Sequence, residues 1–218
     1  MSFFQYRKLF KNEKIVVGCD TSMGLNDYCV AQFLSKTELD VPMVYREKCI
    51  ASEMTNRIFP VLELISDKTG KKPLVAFERQ NGGVYEIERL AHLNKNNKFT
   101  IYQMKRHGEE EADQQTTRLG WDTNSATRSV MLIALKEVID NRLIRIYDKT
   151  TVEELFSFVK VQTSTVMKAQ AESNCHDDCV MALAIAWQLY LDLQSGADED
   201  AVSEAMKTYR RDIEQMEG

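Results

Sequence analysis

Residues 177–193, DDCVMALAIAWQLYLDL, are apolar almost all the way round a helix. Such a helix has no face to give to water, so the fold must cover it. The segment IVVGCD at 15–20 makes the same demand in extended form. It is a short, nearly continuous apolar run, the pattern of a central strand buried on both faces. Packing the helix on a sheet that contains this strand satisfies both.

The remaining segments supply the layers. The turn-forming TSMGLND follows the first strand, with Gly24, Asn26 and Asp27. YCVAQFLS (28–35) and VPMVYREKCI (41–50) read as two further strands on short polar connections, which predicts an antiparallel meander. Residues 52–69 change to helical spacing, with Ile58, Val61, Leu62 and Ile65 on one face. Pro60 is expected to kink or start that helix and Gly70 to stop it. PLVAFE (73–78) reads as a strand, NGG (81–83) as a turn or helix entry, and VYEIERLAHLNK as a helix. FTIYQM (99–104) is a strand and 105–122 an exposed polar loop. A helix (125–140), a short strand (143–147) and a helix (151–160) precede the buried helix. No internal repeat stands out.

A meander followed by strands alternating with helices predicts an α/β fold. Its sheet is mixed, an antiparallel three-strand meander plus parallel strands, with helices on both faces. A chain of 218 residues fits one domain. We place an N-terminal extension or linker at 1–13, the domain at 14–194 and a charged, helical tail at 195–218.

Hydrophobic residues make up 44% and charged residues 28%, which excludes a disordered chain. No apolar run approaches the roughly 18 residues of a membrane span. The start, MSFFQYRKLFKNEK, does not read as a signal peptide, so a cytoplasmic location is expected. The five cysteines, Cys19, Cys29, Cys49, Cys175 and Cys179, are odd in number and follow no framework spacing, so reduced buried thiols are expected. Cys175, His176 and Cys179 lack the second pair that a structural zinc site needs.

The carboxylates carry the chemistry. By period two, Val16, Gly18 and Asp20 share one face of their strand, and Asp20 ends it. Glu78 ends its own strand in the same way. If the two strands are parallel neighbours, both acids emerge at the carboxyl edge, where open α/β sheets bind ligands. Asp177 and Asp178 open the buried helix, whose start would lie beside that edge. Taken singly, each acid reads as a turn former, a surface charge or a helix-start acid. Taken together, they are hard oxygen ligands of the kind Mg²⁺ or Mn²⁺ requires. Two such ions about 3.5–4 Å apart clamp the attacking water and the leaving oxygen in phosphodiester cleavage.

The net charge of −5 argues weakly against nucleic-acid binding, yet a carboxylate site is itself acidic until metal neutralises it. Local basic clusters remain at Lys71–Lys72, Lys105–Arg106 and Arg118…Arg128, each by itself a solvated surface. Lys105, Arg106, Arg128 and Lys168 are the candidates for holding a DNA backbone.

The segments GCDTSMGLNDY, VAFERQNGG, GWDTNSATRSVM and NCHDDCVMALAIA, in that order, resemble the C-terminal nuclease domain of phage and prophage large terminase subunits. The resemblance runs over roughly residues 14–193. It implies a ribonuclease H-like fold and a metal-dependent endonuclease that cuts concatemeric viral double-stranded DNA during packaging. It implies Asp20, Glu78 and an Asp of the 177–178 pair as metal ligands. Helix spacing favours Asp178 of that pair, since its stripe continues through Ala182, Ile185, Ala186 and Leu189, apolar and small enough to lie close against a sheet, whereas the Asp177 stripe ends in Gln188. Asp177 is then a ligand of a second ion or a helix cap, Asp27 is a further candidate ligand, and His176 is a candidate for positioning water or phosphate. The implied partners are DNA, an ATPase motor domain, a small terminase and a portal, in a host cytoplasm. The chain has no GxxxxGK[ST] motif, because TGKK at 69–72 lacks the upstream glycine and the hydroxyl residue. An isolated nuclease domain is therefore expected. Two alternatives stand beside this reading. One is another ribonuclease H-like enzyme, of junction-resolvase or transposase type. The other is a non-catalytic DNA- or partner-binding module, which would require one of Asp20, Glu78 and Asp178 to point away from the others.

Overall fold

The computed structural model describes residues 2–24, 27–104, 118–161 and 176–194. Within them the strands are β1 (Phe3–Gln5), β2 (Ile15–Asp20), β3 (Cys29–Ser35), β4 (Asp40–Glu47), β5 (Leu74–Phe77), β6 (Thr100–Ile101), β7 (Gln103–Met104), β8 (Arg118–Leu119) and β9 (Arg145–Ile146). The helices are α1 (Ala51–Thr69), α2 (Gly83–Leu93), α3 (Ser125–Asp140), α4 (Lys149–Val161) and α5 (Asp178–Gln194). The main sheet runs β1-β4-β3-β2-β5-β6, with β9 added on β4. β2, β3 and β4 form the expected antiparallel meander, and β2, β5 and β6 are parallel neighbours.

All six residues of β2 are buried. One face of the sheet, through Val16, Val30, Leu34 and Ala76, packs with α3 and α5. The other, through Ile15, Val17, Phe33 and Phe77, packs with α1 and α2. Helices therefore cover both faces. α5 is the closest layer. A Cβ on Gly18 would lie 2.2 Å from the carbonyl oxygen of Ala182 and 2.4 Å from the backbone nitrogen of Ala186. Only glycine in the strand and small residues on the helix allow that approach, since any larger pair would overlap well inside van der Waals contact.

Four expectations change. The helix read from residue 52 neither starts nor breaks at Pro60, which lies inside α1. Pro60 and Asn56, between which the helical bond is lost, are both exposed, so solvent reaches the freed carbonyl. Gly70 ends α1 in the left-handed region, as expected. The strand read over 99–104 splits at Tyr102, and β7 turns off to pair with β8 in a separate two-stranded sheet. Residues 118–122, read as the end of an exposed loop, instead run beside β5, with Leu119 and Trp121 buried. Trp121 donates its N–H to Phe77 at 2.9 Å and accepts from Arg79 at 2.8 Å. Gly120 makes this possible: its φ is 86° and a Cβ there would lie 2.6 Å from the Phe77 carbonyl oxygen. Finally, residues 3–5, assigned from the sequence to a 1–13 extension, form β1 against β4. Arg7 anchors the segment that follows, bonding both Asp40 oxygens at 2.6 and 2.7 Å.

Candidate active site

β2 and β5 run side by side in the same direction, with Cys19 opposite Phe77. The next residue on each strand is an acid, and the Glu78 N–H donates to the Cys19 carbonyl at 2.8 Å. Asp20 and Glu78 thus emerge together at the carboxyl edge. They are 7% and 6% exposed, and their carboxyl groups interact with each other. Burial, foremost, and then the charge of Glu78 push the Asp20 carboxyl well above the usual range. Asp178 and Asp177 push it further in the same direction.

The helix start comes to this edge because of the packing at Gly18. Asp178, Ala182 and Ala186 are spaced four apart and lie along one stripe of α5. That stripe lies on Gly18, and Asp20 is two residues further along the same strand face. Asp178 is the first helical residue, and its Oδ2 accepts the Tyr28 N–H at 3.2 Å. Its pKa is pushed up to about 6, chiefly by burial, with the Tyr28 bond working the other way. His176 Nδ1 lies 3.6 Å from Asp178 and 3.7 Å from Asp27, on the outer rim, with its ring edge-on to Tyr28.

Asp177 stands just outside the helix and turns away. Its carboxylate takes the Arg128 guanidinium at 2.6 Å. Arg128 lies in the first turn of α3, which Asn124 caps by accepting the Ala126 and Thr127 N–H groups. Arg128, expected to face DNA, is thus paired within the protein. Lys105, Arg106 and Lys168 lie outside the described residues.

Loops hold the acids in place. Thr21 donates to the Gln80 carbonyl at 2.9 Å, Asn81 to the Thr21 carbonyl at 3.2 Å, and Gln80 to the Thr123 carbonyl at 2.6 Å. Gly83 opens α2 so near Glu78 that a Cβ would lie 1.7 Å from the Glu78 carbonyl oxygen.

Glu154 of α4 has no counterpart in the sequence reading. Its Oε2 accepts the N–H groups of Cys179 at 2.8 Å and Val180 at 3.4 Å, and burial foremost pushes its pKa up to about 7. It lies in an ordinary amphipathic pattern, so nothing local marks it. Cys19, Cys29, Cys49 and Cys179 are buried and unbridged.

Among the described residues, no three His, Cys, Asp or Glu side chains converge tightly enough to cage a metal ion by themselves. Mg²⁺ does not need a cage, since it keeps several waters and takes one or two carboxylates plus substrate oxygens. The buried Asp20–Glu78 pair offers oxygens only, and its crowded charge is what a hard cation would relieve. The donor set fits such an ion.

No protein-family model matches the chain, and no curated protein matches it. Solved structures do. The large terminase nuclease of thermophilic phage G20c with bound cobalt superposes with a TM-score of 0.61 over 86% of this chain and 87% of that one, at 16% identity. The Thermus phage P74-26 large terminase nuclease domain gives 0.55 over 87% and 86%, at 17% identity. The manganese-soaked human cytomegalovirus terminase nuclease domain gives 0.51 over 88% and 92%, at 9% identity. The fold is that of a large-terminase nuclease. This terminase-nuclease fold is the ribonuclease H-like mixed sheet expected from the sequence. Its carboxyl edge carries Asp20 and Glu78.

Proposed function

We propose that this chain is a metal-dependent endonuclease that cuts double-stranded viral DNA during genome packaging. The observation that carries the reading is the buried Asp20–Glu78 pair beneath the start of α5, within a terminase-nuclease fold. A buried pair of like charges costs stability that an apolar pair would not, and such expense is concentrated at functional sites. The structural neighbours include terminase nucleases with bound cobalt and with bound magnesium, and one soaked with manganese.

Asp20 and Glu78 would hold the first of two divalent ions, Mg²⁺ or Mn²⁺, with Asp178 beside them and water and phosphate oxygens completing its shell, and Asp177 or Asp27 would contribute to the second. The ions would supply positive charge to the scissile phosphate and a water acidic enough to attack it. Within the chain, Tyr28 fixes the Asp178 carboxylate, and the Thr21–Gln80–Thr123 contacts fix the loops around the pair. His176, on the rim beside Asp178, is placed to orient water or phosphate. In the complete packaging system the partners would be DNA, an ATPase motor domain, a small terminase and a portal, in the host cytoplasm. No helix among the described residues is long and apolar enough to cross a membrane.

Supercoiled plasmid incubated with the protein is expected to be nicked or linearised in Mn²⁺ or Mg²⁺ and to stay intact in EDTA or Ca²⁺. Little sequence preference should appear, because contacts to phosphate carry no base information. Cutting that persists in EDTA, or none with any ion, would sink the reading. Lys105, Arg106, Arg128 and Lys168 would hold the backbone, Arg128 by exchanging Asp177 for a phosphate. Neutralising all four should weaken binding to every sequence and flatten its dependence on salt, by about one unit of slope for each phosphate no longer neutralised. An unchanged slope would remove these residues from the interface.

A further inference from the structure

The start of α5 carries the acid that would complete the metal site, yet it is held from another helix. The first N–H groups of a helix have no partner within it and are commonly met by the side chain just before the first turn. Here Asp177 occupies that place, and its carboxylate is drawn off to Arg128. The donors of Cys179 and Val180 go instead to a single oxygen of Glu154, 25 residues back in the chain. α4 is itself pinned at its start. Asp148 accepts both the N–H and the hydroxyl of Thr151, at 2.7 and 2.8 Å. The Thr151 hydroxyl in turn accepts from buried Gln32 of β3 at 2.8 Å, and Gln32 also donates to the Cys179 carbonyl at 3.3 Å. A chain of polar contacts therefore runs from the sheet through α4 to the residue next to Asp178.

We propose that Glu154 is a positioning residue, which fixes the first turn of α5 so that Asp178 faces Asp20 and Glu78. Its effect on metal rests on the nuclease reading, but its hold on the helix does not. An acid is a poor choice for the purpose by charge alone, because Asp178 is close enough to repel it. What Glu154 supplies is an acceptor at the right point in space. A glutamine, which keeps a side-chain oxygen of the same reach, should therefore do much of the same work, whereas alanine should not.

The test compares Glu154→Ala and Glu154→Gln with wild type by two readouts. One is amide hydrogen exchange over the first turn of α5 in EDTA. The other is Mn²⁺ binding by titration calorimetry, without DNA. Glu154→Ala is expected to speed exchange at Cys179 and Val180 and to weaken Mn²⁺ binding by about 10–100-fold, the usual cost of losing a residue that orients a ligand. Glu154→Gln should stay near wild type in both. The proposal is overturned if Glu154→Ala leaves exchange unchanged, or if Glu154→Gln is as impaired as Glu154→Ala. Should the alanine variant not fold, the glutamine variant decides: wild-type exchange supports the proposal and fast exchange refutes it. If wild type itself binds no Mn²⁺ while Glu154→Ala still speeds exchange, the nuclease reading fails and the role in holding α5 stands.

Discussion

Asp20→Asn is expected to abolish Mn²⁺-dependent cleavage while making the metal-free protein more stable. Cleavage should fall because a carboxylate that binds the ion contributes several kcal/mol to the transition state. At about 1.4 kcal/mol per decade, that is a loss of ~10²–10³-fold or more. Stability should rise because Asp20 is buried against Glu78 and its carboxyl is held well above its usual range. For an acid raised in the folded state, the native protein holds more protons than the unfolded chain between the two pKa values. Stability is then full at low pH and declines as pH rises through the folded value. Asparagine cannot ionise, so the variant escapes that decline. Its advantage in EDTA should be smallest at low pH and grow as pH rises above the ordinary carboxylate range. A gain of about 1 kcal/mol would raise the melting temperature by roughly 2–4 °C in a protein of this size. Glu78→Gln should behave alike. Full activity in Asp20→Asn would end the assignment of the site. A lower melting temperature for both variants in EDTA would show that the pair is a structural hydrogen bond and not a site kept at the expense of stability.

Much of this geometry was legible from residue spacing. The period-two pattern of β2 put Val16, Gly18 and Asp20 on one face, and the structure seats α5 there. Small residues at 182 and 186 were a sign of close approach, and the apolar girth of the helix required burial on every side. What remained illegible was set by partners far away in the chain. Leu119 and Trp121 are isolated apolar residues in a polar stretch. They are buried because Gly120 lets the backbone meet Phe77, some 40 residues earlier. Phe3–Gln5 is too short to declare itself a strand, and it becomes one by pairing with the edge of β4. The Arg128–Asp177 pair and the Glu154 contacts span 49 and 25 residues, and neither leaves a periodic trace. Local pattern reports which face a residue takes, but it does not report what the opposite surface offers.

That distinction bears most on the two adjacent acids at residues 177 and 178. Successive helix residues point about 100° apart, so neighbours cannot address one ion equally. The sequence favours Asp178 because its stripe continues through Ala182 and Ala186. The structure adds three facts that separate the two. Asp178 lies inside the helix and Asp177 just outside it. Asp178 is fixed by the Tyr28 N–H, whereas Asp177 is committed to Arg128. The two side chains are 14% and 30% exposed, so Asp178 is the more desolvated and its charge acts over a lower effective dielectric. Asp178→Asn should therefore lose about 10²-fold or more of the Mn²⁺-dependent cleavage rate, a loss of the size expected for Asp20→Asn. Asp177→Asn gives up a half-exposed ion pair worth no more than about 1 kcal/mol, and it releases Arg128 to meet phosphate. Its cleavage rate should stay within about tenfold of wild type. Plasmid cleavage by the two single variants, under the same Mn²⁺ concentration and with melting curves to confirm folding, gives the order directly. If Asp177→Asn is the more damaged, the ion sits on the Arg128 side of the helix start. The Gly18 stripe would then govern packing and not ligation.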